Sequence, residues 1–259
     1  MRAVLPLAAV VLVTAGCGSS SKDVLTTTGT TTTRSASTTS TTTSAAAPTV
    51  TRVTLYFLQG GELAAVQREI PATRAVGLAA LGALAAGPVE GLATDLPAGT
   101  KFASLTVSGG TARVSVTPPL GAARPAIAQI VYTLTQFPSI ERVVIGEGRT
   151  LTRRSDLPAL PAILVDSPGY GDTVSSPLPI SGTANTFEAT YNYELAGGGK
   201  VLAKGFGTAT SGSGTRGTFT KTIRFDVASP VPGKLVVYEL SAADGSRIHA
   251  REIPLRLEP

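Results

Sequence analysis

The sequence of 259 residues contains one cysteine, one histidine and no tryptophan, and only 5% of its residues are aromatic. Because Cys17 has no second cysteine to pair with, a disulfide within the chain is excluded. A nucleophilic cysteine or serine needs a base to activate it, and His249 lies in a strand-like stretch at the far end of the chain. A zinc site would need further ligands at a recognised spacing. These shortages predict a chain without a catalytic site, a cofactor or a bound metal.

Charged residues make up 15% of the chain and carry a net charge of +5. The basic residues are scattered, and their densest group is Arg149, Arg153 and Arg154. Nucleic-acid binding would need a basic stripe with aromatic side chains for stacking, so no nucleic-acid partner is predicted. Two interpretations of the basic residues stay open. They could attract anionic lipid headgroups or cell-wall polymers, or they could simply keep the surface soluble.

The N-terminal segment has the pattern of a secretory signal peptide, predicted over residues 1–16. After Arg2, the apolar run over residues 3–15 would rise only about 20 Å as a helix, less than the roughly 30 Å of a hydrocarbon core. Ala15, Gly16 and Cys17 resemble a bacterial lipobox, although Thr14 stands where leucine or valine is commoner. This resemblance implies that Cys17 is lipidated and anchors the protein to the extracytoplasmic face of the cell membrane. Ordinary secretion with a free thiol is the alternative.

Residues 17–50 are predicted to form a disordered linker. Between residues 26 and 43 almost every position is threonine or serine, so this segment has no apolar surface to offset the entropy of ordering. A flexible coil of this length would reach roughly 30 Å. We interpret it as a tether between the membrane and the folded part.

Residues 51–155 show strand and helix patterns in the order β-β-α-β-β-α-β. Alternating apolar residues begin the segment, and a first helix with an apolar face ends at Gly87 and Pro88. Gly109 and Gly110 mark a tight hairpin turn. Pro125 opens a second helix with apolar residues at i, i+3, i+4 and i+7, and "ERVVI" follows as the last strand. The pattern predicts an α+β domain with two helices on one side of a sheet.

Two stretches of this segment, "LAAGPVEGLATDLPAGTKFASLTVSGGTARVSV" and "IVYTLTQFPSIERVVIGEG", resemble the sporulation and spore germination domain called GerMN. The resemblance extends over residues 53–148, with Glu147 and Gly148 in place of the more usual Asp-Gly turn. Similar domains build ring-shaped assemblies in the sporulation machinery. The resemblance therefore implies association with a protein partner or with further copies of the chain, rather than catalysis.

Residues 156–259 lack helical periodicity and alternate instead between apolar and polar residues. One predicted strand runs from Phe187 to Leu195, and another contains Val236, Tyr238 and Leu240 on its apolar face. About seven such strands predict an antiparallel β-sandwich. The stretches "ILVDSPGYGDTVSSPLPISGTANTFEATYNYEL", "GTFTKTIRF", "GKLVVYELSAADGS" and "IPLRL" resemble the immunoglobulin-like domain often found beside GerMN in bacterial germination proteins.

Two groups of polar residues in these segments invite a functional interpretation. Thr133, Thr135 and Gln136 could line a polar site, but we expect hydroxyls that bond nearby carbonyls and a glutamine that faces solvent. Glu188 and Glu194 could act as an acid–base pair, but a solvated strand face accounts for them as well.

Three further patterns have structural interpretations that we prefer. Asp166 and Asp172 could bind calcium, but aspartates that form turns are more common. The "GSGTRG" of residues 212–217 satisfies G-x-G-x-x-G, yet a strand pattern follows it where a dinucleotide-binding loop needs a helix. Tyr191 and Tyr193 share the parity of the apolar residues and are expected to point into the core.

The sequence therefore predicts a non-catalytic envelope lipoprotein with two interaction domains. Its expected partners are the membrane, through the lipid on Cys17, and a protein or further copies of the chain. The alternative is a peptidoglycan- or glycan-binding accessory to a cell-wall enzyme. The expected core position of Tyr191 and Tyr193 disfavours this alternative, because they are the only closely spaced pair of tyrosines that could stack on a sugar.

Overall fold

The structure, a computed structural model, describes residues 49–121 and 123–259, which belong to one compact unit. The predicted signal peptide, Cys17 and the threonine- and serine-rich linker lie outside the described residues. Neither of the two helices that the structure describes has the length and apolar character needed to cross a membrane.

The first half of the described chain has the predicted order of elements, and its α+β class is confirmed. The elements are β1 Val50–Gln59, β2 Glu62–Pro71, α1 Val76–Ala85, β3 Lys101–Ser108, β4 Thr111–Thr117, α2 Arg124–Leu134 and β5 Arg142–Ile145. Gly109 and Gly110 both have positive φ, as the predicted hairpin turn between β3 and β4 requires. Pro125 stands in the first turn of α2, also as predicted.

The five strands of this half are divided between two sheets rather than joined in one. β1 and β2 form an antiparallel pair, and β3, β4 and β5 form a second sheet in which β5 runs parallel to β4. Both helices pack against β1, and α1 also packs against β3. The buried side chains form one core, with Leu81 and Leu84 from α1 and Ile130 and Leu134 from α2 fully buried within it.

The sheets stay separate because side chains of α2 and of the turn that follows it occupy the free edge of β1. Alternate residues of β1 direct their backbone groups away from β2. The Gln136 amide accepts from Thr54 N–H at 2.7 Å and donates to Thr54 O at 2.6 Å. Thr133 Oγ1 accepts from Tyr56 N–H at 3.2 Å, and Gln129 Nε2 donates to Tyr56 O at 2.9 Å. Each side chain thus takes the place of a neighbouring strand.

These contacts correct the expectation for Gln136 and complete the hydrogen bonding of the β1 edge. Gln136 does not face solvent, since both ends of its amide bond the backbone of β1. Leu58, the next residue that faces this edge, exchanges two backbone hydrogen bonds of 2.8 Å with Ala93. Every second residue from 54 to 58 is therefore paired through both its N–H and its C=O, as buried backbone requires.

The second half of the described chain is a β-sandwich, as predicted. Its strands are β6 Ile163–Ser167, β7 Thr173–Ser175, β8 Leu178–Ala184, β9 Thr190–Gly197, β10 Lys200–Thr208, β11 Gly217–Ile223, β12 Val231–Leu240 and β13 Arg247–Glu258. One sheet has the order β10-β9-β12-β13-β7 and the other the order β11-β8-β6. All neighbours are antiparallel except β7, which runs parallel to β13. The apolar side chains between the sheets form a second core.

The predicted strand from Phe187 to Leu195 begins later than expected. Phe187–Ala189 forms a single 3₁₀ turn, in which Glu188 and Ala189 have positive φ values of 51° and 57°. A left-handed backbone cannot continue a strand, so β9 starts at Thr190. The Phe187 side chain is 57% exposed, although its place in the alternation predicted a core position.

The prediction for β12 has the wrong face. Leu235 and Val237 belong to the core between the sheets, whereas Leu240 is 46% exposed. The pairing with β13 shifts between Val237 and Glu239, and Glu239 is only 6% exposed. The extra residue of this bulge lies on β13, where Arg251 and Ile248 are three residues apart, so β12 keeps its alternation. Leu235, Val237 and Glu239 lie on one face, and Val236 on the other face is buried as well. Because apolar residues occupy both faces of β12, the alternation indicated the wrong one.

Candidate functional site

A buried polar junction, formed by Tyr56, Tyr132, Arg153 and Asp166, joins the α+β half to the sandwich. The Tyr56 hydroxyl on β1 donates to Asp166 Oδ1 on β6 at 2.5 Å. Arg153 Nη2 donates to the same hydroxyl at 3.1 Å, and Arg153 Nη1 lies 3.5 Å from Asp166 Oδ2. The Arg153 and Asp166 side chains are 28% and 26% exposed. We call these four residues the polar junction.

Several hydrogen bonds and two aromatic rings hold the Arg153 guanidinium within the junction. Its Nε donates to Thr135 Oγ1 at 2.9 Å and its Nη2 to Tyr132 O at 3.2 Å. Its central carbon lies 4.7 Å from the Tyr132 ring centroid and 5.5 Å from that of Tyr56. The two rings meet edge to face with centroids 5.3 Å apart. A cation between two aromatic rings gains further stabilisation from their π faces.

Burial sets the protonation of the junction. Burial raises the pKa of Asp166 above its ordinary value, although attraction to Arg153 acts in the opposite direction. Burial, reinforced by the negative charge of Asp166, raises the pKa of the Tyr56 hydroxyl well above its ordinary value. Tyr56 therefore stays a hydrogen-bond donor at neutral pH, and Asp166 is the group of this junction whose charge responds to mild acid.

Replacing Asp166 with asparagine should change how stability depends on pH. Because the pKa of Asp166 is higher in the folded state than in the unfolded chain, the folded state binds this proton more tightly. The stabilisation is complete below the unfolded pKa and is lost as pH rises through the folded pKa. As the pH rises through the folded pKa of Asp166, the wild type should therefore lose stability relative to Asp166→Asn. Urea unfolding followed by circular dichroism at each pH measures this difference.

Asp244→Asn is the matched control with the opposite sign. The backbone N–H and the hydroxyl of Ser246 hold the pKa of Asp244 below its ordinary value. This contribution is present above the unfolded pKa and is lost as pH falls, so the wild type should gain stability relative to Asp244→Asn as pH rises. The same slope for both variants would contradict the assignment at Asp166.

Further contacts join the two halves beside the junction. Arg251 on β13 is 8% exposed and reaches the start of β2, where Nη1 donates to Glu62 Oε2 at 2.7 Å and Nη2 to Leu63 O at 3.1 Å. Tyr170 N–H donates to Ala65 O at 2.7 Å. These bonds link the backbone of β2 to the sandwich at two places and leave the halves in a defined arrangement.

The aspartates and threonines of the sequence-based candidates take structural roles. Asp172 Oδ2 accepts from Gly169 N–H at 2.8 Å, which confirms its role in a turn. Asp166 is not a turn residue, because its carboxylate faces Tyr56 and Arg153 across the junction. Thr135 Oγ1 donates to the helix carbonyl of Val131 at 2.7 Å, as expected.

The structure does not bring Glu188 and Glu194 together as an acid–base pair. Glu188 lies in the 3₁₀ turn before β9, and Glu194 pairs with Arg247 at 2.6 Å. His249 Nδ1 lies 2.8 Å from Oε2 of the buried Glu239. Among residues 49–121 and 123–259, no three or more His, Cys, Asp and Glu side chains form a group that could hold a metal ion.

The two remaining expectations are confirmed. Tyr191 and Tyr193 are 1% and 8% exposed and belong to the sandwich core. The G-x-G-x-x-G stretch of residues 212–217 leads into strand β11 rather than a helix. Arg216 within it donates to the carbonyls of Ala162 and Thr183 at 3.3 and 3.4 Å, so it braces the sandwich.

Sequence reasoning missed Gln129 and Arg251. Gln129 is fully buried within an otherwise apolar helix face, and it stands at i, i+4 and i+7 with Thr133 and Gln136. A polar stripe at this spacing is a signal that could have been recognised. Arg251 carries no such signal, because its partners Glu62 and Leu63 lie at the other end of the described chain.

Comparisons with known proteins agree with the two halves of the fold. Residues 54–151 match the family model described as "Sporulation and spore germination". Residues 162–246 match the one described as "Immunoglobulin-like domain of bacterial spore germination". No curated protein matches the chain.

Two solved structures from Bacillus subtilis are similar to the chain. The tandem GerMN domains of the sporulation protein GerM share 20% identity with a TM-score of 0.34, over 42% of this chain and 48% of that one. The first GerMN domain of the same protein shares 19% identity with a TM-score of 0.32, over 42% of this chain and 92% of that one. This chain thus spans about half the length of the tandem protein. The chain therefore combines a segment that matches the sporulation and spore germination family, residues 54–151, with one that matches the immunoglobulin-like domain of bacterial spore germination, residues 162–246.

Proposed function

We propose that the protein is a non-catalytic envelope lipoprotein that acts as a two-domain interaction module on the extracytoplasmic face of the cell membrane. In this proposal the lipid on Cys17 anchors the chain, and the threonine- and serine-rich segment carries the folded domains away from the bilayer. The domains then hold a partner protein, or further copies of the chain, in a shared assembly.

The polar junction is the observation that carries this proposal. A catalytic carboxylate or tyrosine needs access to a substrate, whereas Tyr56, Arg153 and Asp166 are committed to one another across the domain boundary. Such a junction serves to hold two binding surfaces in a defined arrangement. The core positions of Tyr191 and Tyr193 further favour protein association over sugar stacking. Both family descriptions name spore germination rather than a reaction.

The proposal is tested by crosslinking the wild-type chain and Cys17→Ser in native membranes, followed by mass spectrometry. Wild type should carry an acyl mass on Cys17 and sediment with membranes, because two acyl chains anchor stably. Cys17→Ser should lack that mass and lose most of its membrane fraction. Wild type should also form reproducible crosslinks, either to itself or to one dominant protein.

Ser19→Ala is the matched control, since it alters a neighbouring residue and keeps the thiol. It should behave as wild type in both measurements. An unchanged acyl mass on Cys17→Ser would contradict the anchor. Saturable retention of the purified protein by peptidoglycan, with no protein crosslinks, would contradict the interaction module and support the wall-binding alternative.

A further inference from the structure

An aliphatic pocket opens on the surface of the α+β half, beside the loop that follows β5. Its volume is about 250 Å³. The aliphatic side chains that line it are Ile127, Ile145, Leu151 and Leu157. Arg124 and Arg149 stand at the same pocket, and both are exposed. The space suits one apolar side chain, with guanidinium groups beside it.

A larger groove continues from this pocket and runs along the boundary between the two halves. Its volume is about 890 Å³, and it shares Asp156 and Leu157 with the aliphatic pocket. Arg153, Arg154 and Arg216 line it together with hydroxyl and amide side chains of the sandwich. Five arginines therefore line the pocket and the groove, and we call them the arginine surface: Arg124, Arg149, Arg153, Arg154 and Arg216.

The positive charge of the arginine surface is largely uncompensated. None of the ion pairs among the described residues involves Arg124, Arg149 or Arg154. Asp156 is the one carboxylate among the side chains that line the two cavities. Lysine is absent from both linings as well. A planar guanidinium binds a carboxylate through two parallel hydrogen bonds, which a lysine cannot do.

Two of the five arginines are fixed in place by the fold. Arg153 is held by the polar junction, and Arg216 bonds the carbonyls of Ala162 and Thr183. Arg124, Arg149 and Arg154 are exposed and remain available to a ligand. The basic group of Arg149, Arg153 and Arg154 in the sequence is thus extended in space by residues from α2 and from the sandwich.

We infer that the arginine surface binds an acidic peptide segment of a partner protein. One aliphatic side chain of that segment occupies the 250 Å³ pocket, and flanking carboxylates bind the exposed arginines. Charge complementarity selects an anion, and the aliphatic lining selects a peptide, because a wall polymer or a lipid headgroup would leave the apolar surface in contact with water. This inference rests on the proposed role as an interaction module and names the chemistry of its partner.

Selection from a phage-displayed random peptide library on the purified full-length chain tests the inference. The selected peptides should be enriched in aspartate and glutamate around one leucine, isoleucine or valine. Changing that aliphatic residue to glycine, or the acids to their amides, should weaken binding measured by fluorescence polarisation. Raising the salt concentration should weaken it as well, since exposed charges are screened.

The variant Arg124→Ala/Arg149→Ala should bind the selected peptides roughly three- to tenfold more weakly, the effect of losing two exposed charge contacts. Arg74→Ala/Arg224→Ala is the matched control, because it removes the same charge from exposed positions outside both cavities. It should bind as wild type. Circular dichroism of both variants checks that the fold is kept.

Three results would overturn the inference. Selected peptides could lack an acidic bias, or the two double variants could bind them equally. Alternatively, purified peptidoglycan or vesicles of phosphatidylglycerol could be retained through Arg124 and Arg149 while no acidic peptide is selected. Crosslinks to a protein partner in the membrane, combined with any of these results, would contradict this surface and leave the proposed function standing.

Discussion

Replacing Arg153 with methionine is expected to lower the free energy of unfolding by about 3 kcal/mol, near the lower end for breaking a buried ion pair. Methionine keeps much of the aliphatic stem but removes the guanidinium between Tyr56 and Tyr132. Asp166 and the Tyr56 hydroxyl then lose their cationic partner at a site where the Asp166 side chain is 26% exposed. The raised pKa of Asp166 limits the loss, since the carboxylate can take up a proton.

Urea unfolding at pH 7 measures this loss, and Arg256→Met is the matched control. Arg256 lies 3.9 Å from Glu258, and the two side chains are 58% and 43% exposed. Removing one partner of such an exposed pair should cost less than about 1 kcal/mol. A second variant, Arg153→Met/Asp166→Asn, should recover part of the loss because it leaves no unpaired carboxylate. Equal losses for Arg153→Met and Arg256→Met would show that the junction does not stabilise the fold.

Replacing Gln129 with leucine is expected to lower the free energy of unfolding by about 1–3 kcal/mol, because it leaves the buried carbonyl of Tyr56 and the part-buried N–H of Asp95 without a partner. Gln129 is fully buried and donates to Tyr56 O at 2.9 Å, while its carbonyl accepts from Asp95 N–H at 3.0 Å. Leucine has a similar size and a similar helix propensity, so packing and α2 itself should tolerate it. The loss in free energy of unfolding therefore measures what the hydrogen bonds of Gln129 contribute at the edge of β1.

Gln59→Leu is the control for this variant. The Gln59 amide also donates to a backbone carbonyl, that of Glu252 at 3.0 Å, but the bond is exposed to water. Water can replace it, and the change should cost less than about 1 kcal/mol. Hydrogen exchange gives a second readout, since the amide of Asp95 should lose protection in Gln129→Leu. If Gln129→Leu were as stable as Gln59→Leu, the hydrogen bonds of Gln129 to Tyr56 and Asp95 would not stabilise the fold, and the prediction would be wrong.

The stripe of Gln129, Thr133 and Gln136 also protects the fold against unwanted association. A free strand edge presents unpaired N–H and C=O groups that invite another strand to pair with it. Here these three side chains and the backbone of Ala93 satisfy those groups on β1, so the two-stranded sheet has no open edge at residues 54–58. Any assembly of this protein should therefore use other surfaces.

Local patterns determined the order and type of almost every element. The i, i+3, i+4, i+7 spacing of α2 and the paired glycines between β3 and β4 act within a few residues, so they can be recognised without the fold. The same reasoning failed at Phe187 and along β12. A left-handed turn delays the start of β9 without a signal in the composition, and apolar residues occupy both faces of β12, so alternation could not choose between them.

Which polar and charged side chains meet in the polar junction and the arginine surface was decided only by the tertiary structure. The sequence by itself determined two domains, an α+β unit and a sandwich, and the shortage of groups for catalysis. Only the fold brought Tyr56 to Asp166 and Arg153, and joined Arg124 and Arg216 to the basic group at residues 149–154. The partners of a buried polar side chain lie far away along the chain, and no local periodicity records which of them will meet. Burial and charge pairing act through space, so the polar junction and the arginine surface exist only in the folded protein.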